Sequence, residues 1–249
     1  MNDKLRIEEI KYTFGNKPFT SDDLYRFYQK YDPNLNKNTF RWRVYVLKND
    51  GIINTLKRGA YAIKSKKDFE PIVSKKLGNL YLKVQNQFPY LDMCIWETSW
   101  LNNFMVHQVF SSNIILEVDK DAASAVFAFL QGSQKNVFLN PGKNEMEHYI
   151  SVGQTSIIIK NLTITSPRRE IQNIIVPTAE KIMVDLFADD ELFATYQGAE
   201  LKNIYQELFN TYNVNQSTLK QYAHKRHIKA KLIAFLKEET DIAEDELFI

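Results

Sequence analysis

The sequence predicts an α+β fold in which three small helices and a β-hairpin are followed by a mixed α/β domain that ends in a helical bundle. Apolar residues recur at helical spacing three times before residue 50, and two short β-prone runs follow. From residue 68 apolar strands alternate with helical patterns, and from about residue 178 the pattern is helical to the end. We therefore predict two domains, residues 1–67 and 68–249, the second with its helical end at about 178–249.

The first two predicted helices each carry one apolar face. The first is closed by Gly15. The second starts at a capping-box-like pair, Thr20 and Asp23, and stops at Asp32-Pro33. Their inward residues, in chain order, are Leu5, Ile7, Ile10, Phe14, Leu24, Phe27 and Tyr28.

The third helix and the hairpin complete the first domain. Asn36 or Asn38 is placed to cap the helix, which ends near the turn at residues 49–51. Phe40, Val44 and Leu47 form its apolar face. The runs 52–56 and 60–63 then read as two strands joined by Lys57, Arg58 and Gly59. Helix, turn and basic hairpin in this order predict a winged helix-turn-helix, whose third helix enters a DNA major groove while the hairpin tip meets phosphates or the neighbouring minor groove.

Basic residues concentrate where such a fold would meet DNA. Six cations fall within the 22 residues 37–58, and DNA affinity comes largely from Lys and Arg displacing condensed counterions. The plain alternative is a solvated helix face. The candidate DNA-binding residues are Lys37, Asn38, Thr39, Arg41, Arg43, Tyr45, Lys48, Lys57 and Arg58.

Charge divides the chain in the same place. Residues 1–67 hold 15 Lys/Arg and 7 Asp/Glu, a net charge of +8, whereas residues 68–249 hold the other 17 and 23, a net charge of −6. The two parts therefore favour different electrostatic partners. A single cysteine, Cys94, excludes a disulfide framework within the chain. No leader pattern and no apolar run near 18 residues is present, so we expect a cytoplasmic protein without a membrane partner.

The second domain is predicted from alternating apolar runs. We expect a helix along residues 77–88 after a short linker, strands at 91–96, 113–118, 137–139 and 156–160, and helices at 98–104 and 121–130. Thr98 and Thr178 are expected to cap helices. Four further helices should follow Thr178, and the acidic segment 238–246 should be solvated.

No catalytic, metal or cofactor site is predicted. Three of the usual signatures are absent from the sequence, namely a phosphate-binding glycine loop, a G-x-S-x-G elbow and a dinucleotide fingerprint. The four histidines read as surface residues. Glu117, Asp119 and Lys120 weakly match the metal-binding strand of nucleases, but Asp119 and Asp121 fit better as the cap or start of the next helix. Lys181 and Asp185 read as an i,i+4 pair on a helix face beside Glu180.

Three motifs resemble the AbiEi-type antitoxins of type IV toxin–antitoxin, or abortive infection, systems. They are the hairpin residues Gly51-Ile52-Ile53 with Arg58-Gly59-Ala60-Tyr61, the run Trp96-Glu97-Thr98-Ser99-Trp100-Leu101, and the helix from Pro177 to Leu186 with its E-K-x-x-V-D-L pattern. The resemblance extends from about Pro18 to Leu236.

The resemblance implies a function. It implies a repressor that binds its own operator, with inverted repeats expected, and that counters a neighbouring nucleotidyltransferase-like toxin through the C-terminal domain. It also implies that Lys37, Asn38, Thr39, Arg41, Arg43, Lys57 and Arg58 meet DNA, whereas direct contact with the toxin stays open. The protein is expected to be a monomer in solution or a dimer on DNA.

Three questions stay open at this point. Trp42 is expected to pack with Val46 in the core, but it also lies close to the predicted DNA-binding residues. The winged helix can alternatively serve as a non-catalytic module for protein contacts. A nuclease-related role in phage defence is a third, weaker interpretation.

Overall fold

The computed structural model describes residues 5–15, 17–63, 66–109, 112–149 and 155–242. These residues form a mixed α+β architecture with a three-stranded, a four-stranded and a two-stranded sheet. None of the helices in these ranges has the length and apolarity that crossing a bilayer requires.

The N-terminal part contains three helices and a small antiparallel sheet. Its elements are α1 (Ile7–Phe14), β1 (Phe19–Thr20), α2 (Ser21–Gln29), α3 (Lys37–Asn49), β2 (Ile53–Lys57) and β3 (Ala60–Ile63). The strand order is β1-β3-β2, with β3 antiparallel to both neighbours. The helices and the hairpin agree with the sequence prediction, whereas the two-residue strand β1 was not predicted.

Local side-chain chemistry fixes the ends of these helices. Thr20 and Asp23 form the predicted capping box, with the Asp23 N–H donating to Thr20 Oγ1 at 3.1 Å and the Thr20 N–H donating to Asp23 Oδ2 at 2.9 Å. Asn36, rather than Asn38, caps α3, because its Oδ1 accepts the N–H of Thr39 at 2.8 Å. Gly15 follows α1 at φ +54°, a backbone conformation that glycine adopts without strain.

The larger sheet lies in the second part of the chain. Its strands are β4 (Met93–Glu97), β5 (Ile114–Val118), β6 (Val137–Leu139) and β7 (Ile157–Asn161). The order is β4-β5-β7-β6, with β4 antiparallel to β5 and the other three strands parallel. Helices α4 (Lys75–Gln87), α5 (Ala123–Gln131) and α6 (Lys143–Tyr149) lie between these strands in the sequence.

A hairpin and four helices complete the described chain. The hairpin consists of β8 (Arg168–Ile171) and β9 (Ile174–Pro177), and the helices are α7 (Ala179–Ala188), α8 (Ala199–Thr211), α9 (Gln216–Lys225) and α10 (Lys229–Glu238). The four helices agree with the predicted helical end. Most of the predicted acidic segment, from residue 243 onward, lies outside the described residues.

Several local predictions in this part were wrong. Residues Thr98–Phe104 form a 3₁₀ helix rather than a capped α-helix, because the Thr98 hydroxyl instead accepts the N–H of Asn113 at 3.0 Å. Thr178 precedes α7 without a capping bond, and its Oγ1 has no partner among the described residues. Neither Asp119 nor Asp121 caps α5 with its side chain, since Ala122 occupies that position.

Two elements were not predicted at all. The β8–β9 hairpin turns at Gln172 and Asn173, which adopt φ of +52° and +63° without the glycine that usually marks such a turn. Helix α6 lies directly after the predicted turn at residues 140–142. In both cases the sequence lacks the strong turn or apolar signal on which the prediction depended.

Buried apolar residues form two clusters. The smaller cluster is drawn from residues 5–61 and includes Ile10, Leu24 and Leu47, and the larger one is drawn from residues 69–236. Short backbone contacts join the two parts, since the Asn213 N–H donates to Lys67 O at 2.8 Å and the Lys67 N–H donates to Thr211 O at 3.3 Å. The predicted domain boundary at residue 67 stays a prediction.

Candidate nucleic-acid interface

One face of α3 is exposed along its whole length. Because an α-helix turns once every 3.6 residues, positions 38, 41, 42, 45 and 48 form one stripe. The opposite face is buried through Phe40, Val44 and Leu47. The exposed stripe therefore carries Asn38, Arg41, Trp42, Tyr45 and Lys48, which combine an amide, two cations and two aromatic rings.

The exposure of Trp42 corrects the expectation that it belongs to the core. Its side chain is 45% exposed, and that of Tyr45 is 67% exposed. At 100° per residue, position 42 lies about 200° from position 40 and from position 44, so it points away from the core side. Two large rings exposed side by side on one helix are unusual enough to indicate a contact surface.

Arg43 does not belong to the exposed stripe. Its Nη2 lies 3.3 Å from Asp32 Oδ2, and its guanidinium carbon lies 4.7 Å from the centre of the Tyr28 ring. Only 11% of the side chain is exposed. The structure therefore gives this predicted DNA-binding residue an internal ion pair and a cation–π contact, which attach α3 to α2.

Two other candidates lie in the first turn of α3. Lys37 is exposed, and Thr39 is half-buried with its N–H bound by the cap residue Asn36. Lys37 can therefore reach a ligand at this end of the helix. The role of Thr39 in the structure is to receive the cap through its backbone.

The hairpin tip carries the remaining candidates. Lys57 ends β2, and Lys57 and Arg58 are both exposed. Gly59 follows at φ +78°, and an added Cβ there would meet nothing within 4 Å, so the glycine is required by the backbone conformation rather than by space. Gly59 O accepts the N–H of Ser21 at 2.7 Å. This bond attaches the tip to the start of α2.

A second set of charged residues is buried beneath the larger sheet. Lys181 on α7 is fully buried, and its Nζ lies 2.6 and 2.7 Å from the two carboxylate oxygens of Glu117 on β5. Asp185 also accepts from Lys181, which confirms the predicted i,i+4 pair but places it in the core. Burial lowers the pKa of Lys181, but the negative charges of Asp185 and Glu117 outweigh this effect and raise the pKa well above its usual value.

The same network reaches α9. Arg226 pairs with Asp185 and, at 2.9 Å, with Asp189, while Lys160 pairs with Asp189 at 2.9 Å. The Tyr222 hydroxyl donates to Asp185 Oδ1 at 2.8 Å. A cavity of about 180 Å³ adjoins these groups and is lined by Trp96, Ile115, Glu117, Lys160, Asn161, Thr163, Asp185, Asp189, Phe193 and Arg226. Three carboxylates and three cations balance in charge, so the network holds β5, α7 and α9 together.

The other candidates from the C-terminal motifs are also internal. Trp96 and Trp100 are buried, and Trp100 Nε1 donates to Ile72 O at 3.2 Å. Glu180 accepts the N–H of Asn215 at 2.7 Å, just before α9 begins. These partners explain the motif residues by packing and hydrogen bonding within the fold.

The residues weighed for metal chemistry lie apart. In the described part of the chain, no group of three or more His, Cys, Asp or Glu side chains is placed to hold a metal ion. His224 and His227 are exposed, as expected, and exposed His107 has its Nδ1 2.8 Å from Glu200 Oε1. The side chain of His148 lies outside the described residues.

An exposed basic and aromatic helix face beside a basic hairpin is thus the main surface feature of this α+β protein. The chain belongs to the family of unknown function DUF6577, whose sequence profile matches residues 39–242. The match begins inside α3 and includes the hairpin and the buried charge network. No curated protein matches the chain.

Proposed function

We propose that the protein binds double-stranded DNA through an N-terminal winged helix-turn-helix. In this proposal α3 is the recognition helix, and the β2–β3 hairpin is the wing. The observation that carries the proposal is the exposed stripe Asn38, Arg41, Trp42, Tyr45 and Lys48, which lies on the same helix whose opposite face forms the core.

The chemistry of the stripe suits a major groove. Arg41 can donate two hydrogen bonds to the edge of guanine, and Asn38 can pair with adenine in the same bidentate manner. Trp42 and Tyr45 offer apolar surface to thymine methyl groups and sugars. Exposed cations at both ends of the surface, Lys37 and Lys48 with the wing residues Lys57 and Arg58, suit the phosphate backbone.

We further propose that this DNA-binding protein is a cytoplasmic, non-catalytic antitoxin that represses its own operon and counters a neighbouring nucleotidyltransferase-like toxin. This part of the proposal rests on the resemblance to AbiEi-type antitoxins. The C-terminal motif residues Trp96, Glu180 and Asp185 are buried and have internal partners. Direct contact with a toxin would therefore use the outer surface of the larger domain instead of these motif side chains.

The binding test is a fluorescence-anisotropy titration of the full-length protein against its own upstream region and a scrambled duplex, at about 50 and 200 mM salt. We expect preference for the upstream region and a steep loss of affinity at the higher salt. Arg41→Ala should weaken binding, whereas Lys76→Ala should not, because Lys76 is an exposed lysine on α4 of the larger domain. Equal affinity for both duplexes, or an Arg41→Ala variant that binds as the wild type does, would refute the proposal.

One observation favours the alternative of a protein-interaction module. Trp42 and Tyr45 are enriched residue types at protein interfaces, and here they are exposed together. This alternative predicts a complex with the neighbouring gene product that survives high salt, is lost in Trp42→Ala, and forms without any DNA binding. Growth rescue on co-expression with that gene product tests the antitoxin role separately.

A further inference from the structure

The part of the C-terminal bundle nearest the hairpin is unusually basic. Residues 208–237 contain six Lys/Arg and no Asp or Glu, although residues 68–249 as a whole have a net charge of −6. This segment includes α9 and most of α10. A local excess of one charge in a part of the chain that is acidic overall indicates a polyanion or an acidic surface as partner.

Contacts between the two parts of the chain place this segment beside the hairpin. Helix α9 packs against β2, the strand that ends in Lys57. The Asn54 side-chain amide of β2 donates to Asn213 Oδ1, three residues before α9 begins. Asn54 and Leu56 of β2 line one cavity together with Val214 and Gln216 at the start of α9. The hairpin and α9 are therefore neighbours on one side of the molecule.

Three lysines meet at this junction. Lys57 and Lys229 are exposed, and Lys220 on α9 is half-buried. Burial lowers the pKa of Lys220, and the positive charges of Lys229 and Lys57 lower it further. Ammonium groups from the hairpin, α9 and α10 are thus close enough to repel one another, and a bound anion would relieve this repulsion.

We propose that DNA held by α3 and the hairpin continues past the hairpin tip onto α9 and α10, where Lys220 and Lys229 contact its phosphates. This inference rests on the proposed function and enlarges the DNA-binding surface from the N-terminal part to both parts of the chain. A duplex is the partner that fits, because its phosphates repeat along a line and can follow a basic surface that continues from the hairpin.

The contacts at the junction give the extended surface a fixed geometry. Lys66 Nζ donates to Phe209 O at 2.6 Å, and the backbone of Lys67 bonds to Thr211 and Asn213. The hairpin and α9 would therefore present their cations to the same stretch of DNA without a costly rearrangement on binding.

The test compares Lys220→Ala/Lys229→Ala with a matched control, Lys75→Ala/Lys76→Ala, which removes two exposed lysines from α4. Both full-length variants and Arg41→Ala are titrated against the upstream duplex over a range of salt, and circular dichroism checks that each variant is folded. Loss of two phosphate contacts should reduce the slope of log K against log salt by about 1.8, with the control unchanged. On nested duplexes shortened from each end, the wild type should lose its advantage over Lys220→Ala/Lys229→Ala once the flanking phosphates are gone.

The outcomes separate the two proposals. An unchanged slope for Lys220→Ala/Lys229→Ala, with Arg41→Ala still weakened, overturns the extended surface and leaves the winged-helix proposal standing. If Arg41→Ala also binds as the wild type does, the proposed function fails, and this inference fails with it. Loss of binding to the neighbouring gene product, with DNA binding unchanged, overturns the inference and assigns the basic surface to an acidic protein partner.

Discussion

The ammonium group of Lys181 lies within hydrogen-bonding distance of both carboxylate oxygens of Glu117, although the two residues come from α7 and β5. Lys181 also pairs with Asp185, whose other oxygen accepts the Tyr222 hydroxyl. The pair therefore joins the larger sheet to the helices that pack on it, and its residues are satisfied by one another.

Removing the cation from this network should strongly destabilise the fold. Lys181→Met leaves Glu117 and Asp185 buried without their main partner, and we expect a loss of about 3–5 kcal/mol in the free energy of unfolding. Urea denaturation followed by tryptophan fluorescence measures it. Lys202→Met is the matched control, since Lys202 pairs with Asp241 at the surface and should matter little. Similar small losses in both variants would contradict the structural role of the network.

Arg41 and Arg43 should separate stability from DNA binding. Arg43→Ala removes the contacts to Asp32 and Tyr28 and should lower the free energy of unfolding by about 1–2 kcal/mol. Arg41→Ala should leave stability unchanged, because the side chain is exposed, and should lower DNA affinity by about 1–3 kcal/mol. Thermal denaturation and anisotropy on the same two proteins check both expectations. The reverse pattern would show that Arg43, not Arg41, faces the ligand.

The capping box of α2 should make a small, pH-dependent contribution to stability. Hydrogen bonds from the side chain and backbone of Thr20 lower the pKa of Asp23 in the folded state. A carboxyl group with a lowered folded-state pKa stabilises the fold above its unfolded value, near about 3.9, and this stabilisation is lost as the pH falls through the folded value.

The expected result is that Asp23→Ala destabilises the protein near pH 6 and that the difference from the wild type narrows towards pH 3, values taken as roughly two units above and one below the unfolded pKa. Asp22→Ala, at the neighbouring exposed position, should show no such narrowing beyond the effect of the helix dipole. Urea midpoints across this pH range supply the comparison. A pH-independent difference for Asp23→Ala would exclude the carboxylate as the source.

Gly59 should resist substitution for conformational reasons alone. Its φ of +78° lies in the left-handed region, so Gly59→Ala should cost about 1–2 kcal/mol although no atom is close to the added methyl group. Gly142→Ala is the control, because that position is equally open and its φ is not in this region. Differential scanning calorimetry should show a lower Tm for Gly59→Ala only. A neutral Gly59→Ala would mean that the hairpin tip relaxes at no cost.

The sequence by itself determined the elements whose signals are local. The helix α2 begins at its capping pair, α3 begins at Asn36, and the hairpin turns at Gly59, because capping and turn formation depend on residues only a few positions apart. The apolar period of α3 likewise fixed its buried face. These same signals defined the predicted surface for DNA.

Only the tertiary structure decided what the long polar side chains reach. A helical period states which side of a helix a residue occupies, but not which neighbour its flexible side chain meets, so Arg43 turned inward to Asp32 while Trp42 stayed exposed. The pairing of Lys181 with Glu117 and the approach of Lys57 to Lys220 join residues far apart in the chain. Packing brings such residues together, and the amino-acid pattern around each of them carries no record of the other.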